Sequence, residues 1–208
     1  NNNIVVSQGS KPKSLDPNMY NEIPALTITE QIFNTLLKVD ENGNIVPELA
    51  ESFEYVSPTE LVIKIRQGVK FHNGDTLTSK DVAFSINRML DKPASRVMID
   101  AITKVEIIDD YTVKIITSEP FGALLNHLTH PTAAIMSEKA VKAAGDSYGQ
   151  HPVGTGPYKF VSWQSGDKIT LEANPDYFLG VTPIKNVVFR PVTEASNRTI
   201  GIETGELD

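Results

Sequence analysis

One stretch, residues 47–90, constrains the fold more than any other. From Glu60 to Arg66 the chain alternates: Leu61, Ile63 and Ile65 point one way, and Glu60, Val62, Lys64 and Arg66 the other. A period of two with one apolar side is a β-strand with one buried face. Gly68 ends the strand, and Asn73-Gly74 marks a tight turn, because glycine reaches positive φ without steric penalty. Thr78 and Asp81 stand at capping-box spacing. Val82, Ile86, Met89 and Leu90 then form one helical stripe. The stretch therefore predicts a hairpin, a turn and a capped helix in succession.

The rest of the chain reads in the same mixed way. A short strand covers Ile4–Ser7, a polar loop runs from Gly9 to Pro17, and a helix is expected over Ala25–Thr35. Glu41-Asn42-Gly43-Asn44 signals a hairpin. Two strands flank Asp109-Asp110, and a short helix follows over Phe121–Leu128. Ala133–Met136 reads as a short buried strand, followed by a helix capped by Ser137 and closed by Gly145. Strands at Tyr158–Trp163 and Ile169–Ala173 pair across Gly166-Asp167. A strand at Val187–Phe189 and a helix over Thr193–Thr204 complete the chain. The class is mixed α/β. Three segments are expected: 1–41 and 151–208 forming an outer core, and 42–150 inserted between them as an α+β subdomain.

Motifs for chemistry are sparse. There is no cysteine, hence no disulfide and no thiolate metal site. Of the four histidines, His127 and His130 have helical spacing, but Pro131 puts His130 past the helix end, and no carboxylate stands at ligand spacing. His72 reads as a residue that holds its own Phe-His-Asn-Gly turn by hydrogen bonding. No Gly-x-Ser-x-Gly occurs. Gly154-Thr155-Gly156 lacks the third glycine of a dinucleotide fingerprint and precedes a strand, so it reads as a strained structural bend. A net charge of −7 argues against nucleic acid as a partner. No apolar run of about 18 residues is present to cross a membrane. Binding rather than catalysis is the expectation, with no cofactor and no metal.

Four blocks resemble a known family in order and spacing. They are Ser14-Leu15-Asp16-Pro17; Leu49-Ala50-Glu51-Ser52 through Asp81-Val82; Val153–Tyr158 with Asn174–Tyr177; and Asn197–Thr199 with Thr204–Asp208. The chain resembles the extracellular solute-binding proteins, family 5, of ABC importers, which include oligopeptide, dipeptide and nickel-type binding proteins. The resemblance implies the first lobe of a periplasmic-binding-protein-like fold, with the second lobe absent and an export signal, and a lipid anchor in some members, upstream. It implies a place outside the cytoplasmic membrane or in the periplasm, a membrane permease as partner, and a peptide or other small solute as ligand. A nickel chelate or a sugar is the alternative within the fold. A peptide-sensing receptor, an interaction module and an extracellular hydrolase are alternatives outside it.

The carry-over places the ligand wall between the first strand and first helix, at Tyr20, Asn21, Glu22 and Ile23. Tyr20 offers a large apolar face with a hydroxyl at its rim. A second candidate is the loop His130-Pro131-Thr132. A single wall buries little of a ligand, so weak binding and self-association through uncovered edges are expected of this piece alone.

Overall fold

The structure is a computed structural model and describes residues 2–208. Strand β1 spans Asn3–Gln8 and is followed by helix α1, Ile23–Ile32. Strands β2 (Leu37–Val39) and β3 (Ile45–Pro47) pair across the Gly43 turn. Next come β4 (Ala50–Ser57), β5 (Glu60–Ile65), α2 (Ser79–Asp91) and the short α3 (Pro93–Arg96). Strands β6 (Ile102–Asp109) and β7 (Thr112–Thr117) precede α4 (Leu124–His127) and α5 (Glu138–Ala144). The chain closes with β8 (Tyr158–Gln164), β9 (Lys168–Ala173), β10 (Asn186–Pro191) and α6 (Ala195–Thr204).

Two four-stranded sheets organise these elements. The middle sheet has the order β4-β5-β7-β6 and is antiparallel throughout. The alternation in β5 does what it predicts. Leu61, Ile63 and Ile65 are buried and lie beside the buried side of β7, with Leu61 opposite Ile115 and Ile63 opposite Val113. Val82, Ile86 and Met89 of α2 join the same core. Each such side chain contributes roughly 1.5–3 kcal/mol by burial. The capping box is formed: Asp81 accepts from the Thr78 N–H at 3.0 Å, and the Thr78 hydroxyl accepts from the Lys80 N–H at 3.3 Å. The Asp81 carboxylate also accepts from the Glu138 N–H at 3.0 Å, so one side chain serves the starts of α2 and α5.

The outer sheet has the order β1-β10-β9-β8. Only β1 and β10 run parallel, from Asn3 opposite Asn186 to Gln8 opposite Pro191. Its core holds Leu15, Ile28, Ile32, Phe33, Tyr148, Ile169, Leu171 and Phe189. The two cores draw on the chain unevenly. Leu36 and Leu37 belong with the middle sheet, and Ala134, Met136, Val141 and Tyr148 with the outer one.

Several expectations need correcting. Helix α1 begins at Ile23 because Pro24 fits the first turn, where its missing N–H loses no bond. It ends at Ile32, since Phe33 turns extended while its N–H still bonds Thr29. The helix expected over Phe121–Leu128 shortens to Leu124–His127. Ala133–Met136 is buried but joins no sheet. A 3₁₀ turn covers Pro131–Ala133, and the donors beyond it go to non-strand partners: Ile135 N–H to the Asn34 carbonyl at 3.0 Å, Met136 N–H to Ser85 Oγ at 2.8 Å. Satisfied this way, the segment needs no ladder.

Gly154 and Gly156 do not relieve a strained bend either, as neither has positive φ. A Cβ on Gly154 would lie 2.0 Å from the Ile32 carbonyl oxygen, and one on Gly156 would lie 2.6 Å from the Ile32 carbonyl carbon. The absent side chains let this segment, just before β8, approach the end of α1, where the Gly156 N–H bonds Ile32 O at 2.8 Å. His72 reaches the same segment rather than serving only its own turn. The Gly154 N–H donates to Nδ1 at 3.3 Å, which leaves Nε2 to donate to Gly156 O at 3.0 Å.

Candidate ligand wall

In open sheets, ligands bind beyond the carboxyl ends of parallel strands. Here those ends are Gln8 of β1 and Pro191 of β10. The loop after β1 returns the chain to α1, and Gln8 Nε2 donates to Pro24 O at 3.1 Å, closing the base of that loop.

A buried ionic network fixes the loop. Arg88, on α2, meets Asp16 through two nitrogens, at 2.8 and 2.5 Å. The same guanidinium donates to Asn18 Oδ1 at 2.7 Å. Asp16 and Arg88 side chains are 6% and 13% exposed, so the pair is shielded from solvent and the fork geometry is close to ideal. The Asp16 carboxylate also accepts from the Asn18 N–H at 3.1 Å. Asn18 then hands the network on, its amide donating to the Thr132 carbonyl at 2.8 Å. On the other side the Leu15 N–H bonds Gly149 O at 2.9 Å, and a Cβ on Gly149 would strike Ser14 Oγ at 2.0 Å.

The network brings the two candidate segments together. Beyond Asn18, Tyr20 is half-buried, with Lys13 Nζ 5.5 Å from its ring centroid. Asn21 is exposed. Glu22 precedes α1 without capping it; its carboxylate accepts from the Lys13 N–H at 2.8 Å and faces Lys13 Nζ at 3.6 Å. Ile23 is 79% exposed, an apolar side chain at the start of a helix with nothing packed over it. Met19 is also exposed.

The three residues of the second segment separate by role. His130 is half-buried; its Nδ1 accepts from the Thr132 N–H at 3.2 Å and lies 2.9 Å from the Thr132 hydroxyl. Burial, then the neighbouring His127, lowers its pKa, so the ring is neutral near pH 7. Thr132 is buried and presents its carbonyl to Asn18 rather than a side chain to solvent. Pro131 borders a concavity of about 380 Å³ beyond the end of α1, with Phe33, Asn34, Glu48 and Tyr177. Asn34 is held there between Tyr177 OH at 3.3 Å and Thr155 Oγ1 at 2.8 Å.

Sequence reasoning missed Arg88, which looks like an ordinary helix arginine until the fold places Asp16 beside it. It also missed the turn after α3. Val97 is 71% exposed there, and Met98 receives Thr132 Oγ1 on its sulfur at 3.3 Å and His127 on its carbonyl. The exposure of Val97 is visible only in three dimensions. Among the described residues, no three His, Cys, Asp or Glu side chains gather as a metal site, and no helix is long and apolar enough to cross a membrane.

A mixed α/β fold with one parallel strand pair at the edge of an otherwise antiparallel sheet is that of a periplasmic binding protein, of which this chain covers under half. Residues 44–208 match the family described as bacterial extracellular solute-binding proteins, family 5 Middle. The chain belongs to that family. It is 33% identical over 208 residues to the glutathione-binding protein GsiB of Pectobacterium atrosepticum, covering 97% of this chain and 40% of that one. The chain thus spans about 40% of the length of the curated relatives it matches. Among solved structures it is similar to the ABC transporter-associated periplasmic binding protein DppA from Helicobacter pylori in complex with the peptide STSA. The TM-score is 0.93 and the identity 27%, over 99% of this chain and 45% of that one. It is also similar to the binding protein MoaA from A. tumefaciens in complex with mannopinic acid, with TM-score 0.94 and 29% identity, over 99% and 44%.

Proposed function

We propose that this chain supplies one wall of the ligand cleft in the solute-capturing protein of an ABC importer, and that the solute is a peptide. The wall is Tyr20, Asn21, Glu22 and Ile23, with His130 beside it. Asn18 and Thr132 act behind the surface as positioning residues, and Pro131 turns toward the neighbouring concavity. Capture needs no bond-breaking. It needs a pre-shaped surface, so that little ordering entropy is lost when the ligand docks. The observation that carries this reading is the buried Arg88–Asp16–Asn18–Thr132 chain, which holds an otherwise irregular and partly exposed loop in one shape.

The ligands of the relatives support the peptide class, since glutathione and STSA are both peptides. The mannopinic acid complex supports a second reading, a small acidic sugar derivative, in the same wall. Mass spectrometry of small molecules released from the full-length protein distinguishes them. Recovery of peptides supports the first reading; recovery of sugar acids alone replaces it with the second. A permease is the partner in either case, with the protein outside the cytoplasmic membrane, lipid-anchored or free.

The 208-residue chain alone is proposed to self-associate. Ile23, Val97, Ile200 and Ile202 are all more than half exposed, and β6 is an open sheet edge. Sedimentation velocity that shows a monomer at all concentrations would end that part of the proposal.

A further inference from the structure

A second and larger concavity, of about 770 Å³, lies between the loop after β1 and the outer strand β8. The sheet register places it at the same end of the sheet as the ligand wall. Trp163 pairs with Ile169, Ile169 with Phe189, and Phe189 with Val6 near the carboxyl end of β1. Lys11, Lys13 and His151 line the groove together with Phe160, Val161 and Trp163, and no carboxylate of the described residues does. In a chain of net charge −7, an electropositive lining of this size is a segregation of charge.

The charged groups around it leave the two lysines available. Glu22 approaches Lys13 at 3.6 Å, yet the Lys13 side chain stays 67% exposed, so the pair is loose. Asp167 and Lys168 border a smaller neighbouring depression, with opposite charges. The apolar floor is ordered: the His151 ring stands edge-on to Phe160 at 6.0 Å and 84°. Val161 is 49% exposed.

The form of β8 decides what kind of molecule fits. It is the outermost strand of its sheet, so its free edge is a template for an added strand. But the register slips between Phe160 and Ser162, placing an irregularity at Val161 in the middle of that edge. A bulge there breaks the row of backbone donors and acceptors that an added strand needs. The groove therefore suits a compact molecule held by side chains, and its volume is in the range of small-ligand sites.

We infer that this groove is a binding site for a small organic anion with an apolar body, its carboxylate between Lys11 and Lys13 and its body against Trp163 and Phe160. Lys13 also lies over Tyr20, so the site adjoins the proposed wall, but the inference does not depend on peptide capture. Trp163 is the only tryptophan of the chain and reports on its own site. The test follows its emission while the 208-residue chain is titrated with phenylbutyrate, the uncharged phenylbutyramide and the cationic phenylbutylamine. The expected result is a saturable change with the carboxylate, weaker by about fivefold or more in the Lys11→Gln/Lys13→Gln double variant, and no saturation with the amine. Both lysines are exposed, so the double variant keeps the fold, which circular dichroism verifies. Equal responses to all three probes, or an unchanged response in the double variant, would overturn the inference. So would the absence of saturation with any probe. None of these outcomes bears on whether the full-length protein binds peptides.

Discussion

The side-chain amide of Asn18 donates to the backbone carbonyl of Thr132 at 2.8 Å, joining two loops 114 residues apart. Asn18 can do this because its own carbonyl oxygen is occupied by Arg88, which fixes the amide orientation. Arg88 is held in turn by Asp16. Removing the arginine leaves a carboxylate buried without its counter-charge. Arg88→Met is therefore expected to destabilise the chain by about 3–5 kcal/mol, whereas the Asp16→Asn/Arg88→Met double variant recovers part of that loss. Urea unfolding of the single and double variants measures both. A single variant within about 0.5 kcal/mol of the parent would show that the network does not hold the loop.

His72 predicts a pH dependence. Its ring is buried against Gly154 and Gly156, and desolvation lowers its pKa from 6.5 to about 4. Between those values the unfolded chain binds the proton and the folded chain does not. Stability is therefore complete above about pH 6.5 and falls as the pH drops toward about 4, by up to about 3 kcal/mol from this group. Urea midpoints across that range should drop for the parent, and less steeply for His72→Gln, which keeps a donor but does not titrate. Identical slopes would rule out the role given to His72.

Gly156→Ala tests the close approach of the segment before β8 to the end of α1. The new Cβ would meet the Gln31 and Ile32 carbonyls at 2.7 Å, and backbone cannot swing aside as a side chain can. A destabilisation of about 1–3 kcal/mol is expected, visible as a lower melting temperature. Gly122→Ala is the control, with no atom within 4 Å of its Cβ and no positive φ. If the two variants melt together, the glycine is there for another reason.

Much of this was legible in the chain itself. Leu61, Ile63 and Ile65 announce a strand, and Thr78 with Asp81 a helix start, because each signal is local and periodic. Ala133–Met136 misled for the same reason. Its apolar run has the composition of a buried strand, and only the Ser85 hydroxyl and Asn34 carbonyl, far away in sequence, show how its N–H groups are satisfied. The wall divides likewise. The loop at Tyr20 is singled out by the family resemblance alone, and no periodicity or spacing in the chain marks it. The part played by Arg88 depends on which loops the two sheets bring side by side, and no spacing encodes that.

The central claim is that the loop from Tyr20 to Ile23 touches a captured solute. It is tested most directly by calorimetric titration of the full-length protein with glutathione and short peptides, comparing the parent with Tyr20→Ala. Tyr20 is half-buried on a loop, so its loss should change stability little while removing a large contact surface. The account predicts saturable binding by the parent, weakened about tenfold or more in the variant at an unchanged melting temperature. Equal affinity in the two proteins would contradict it.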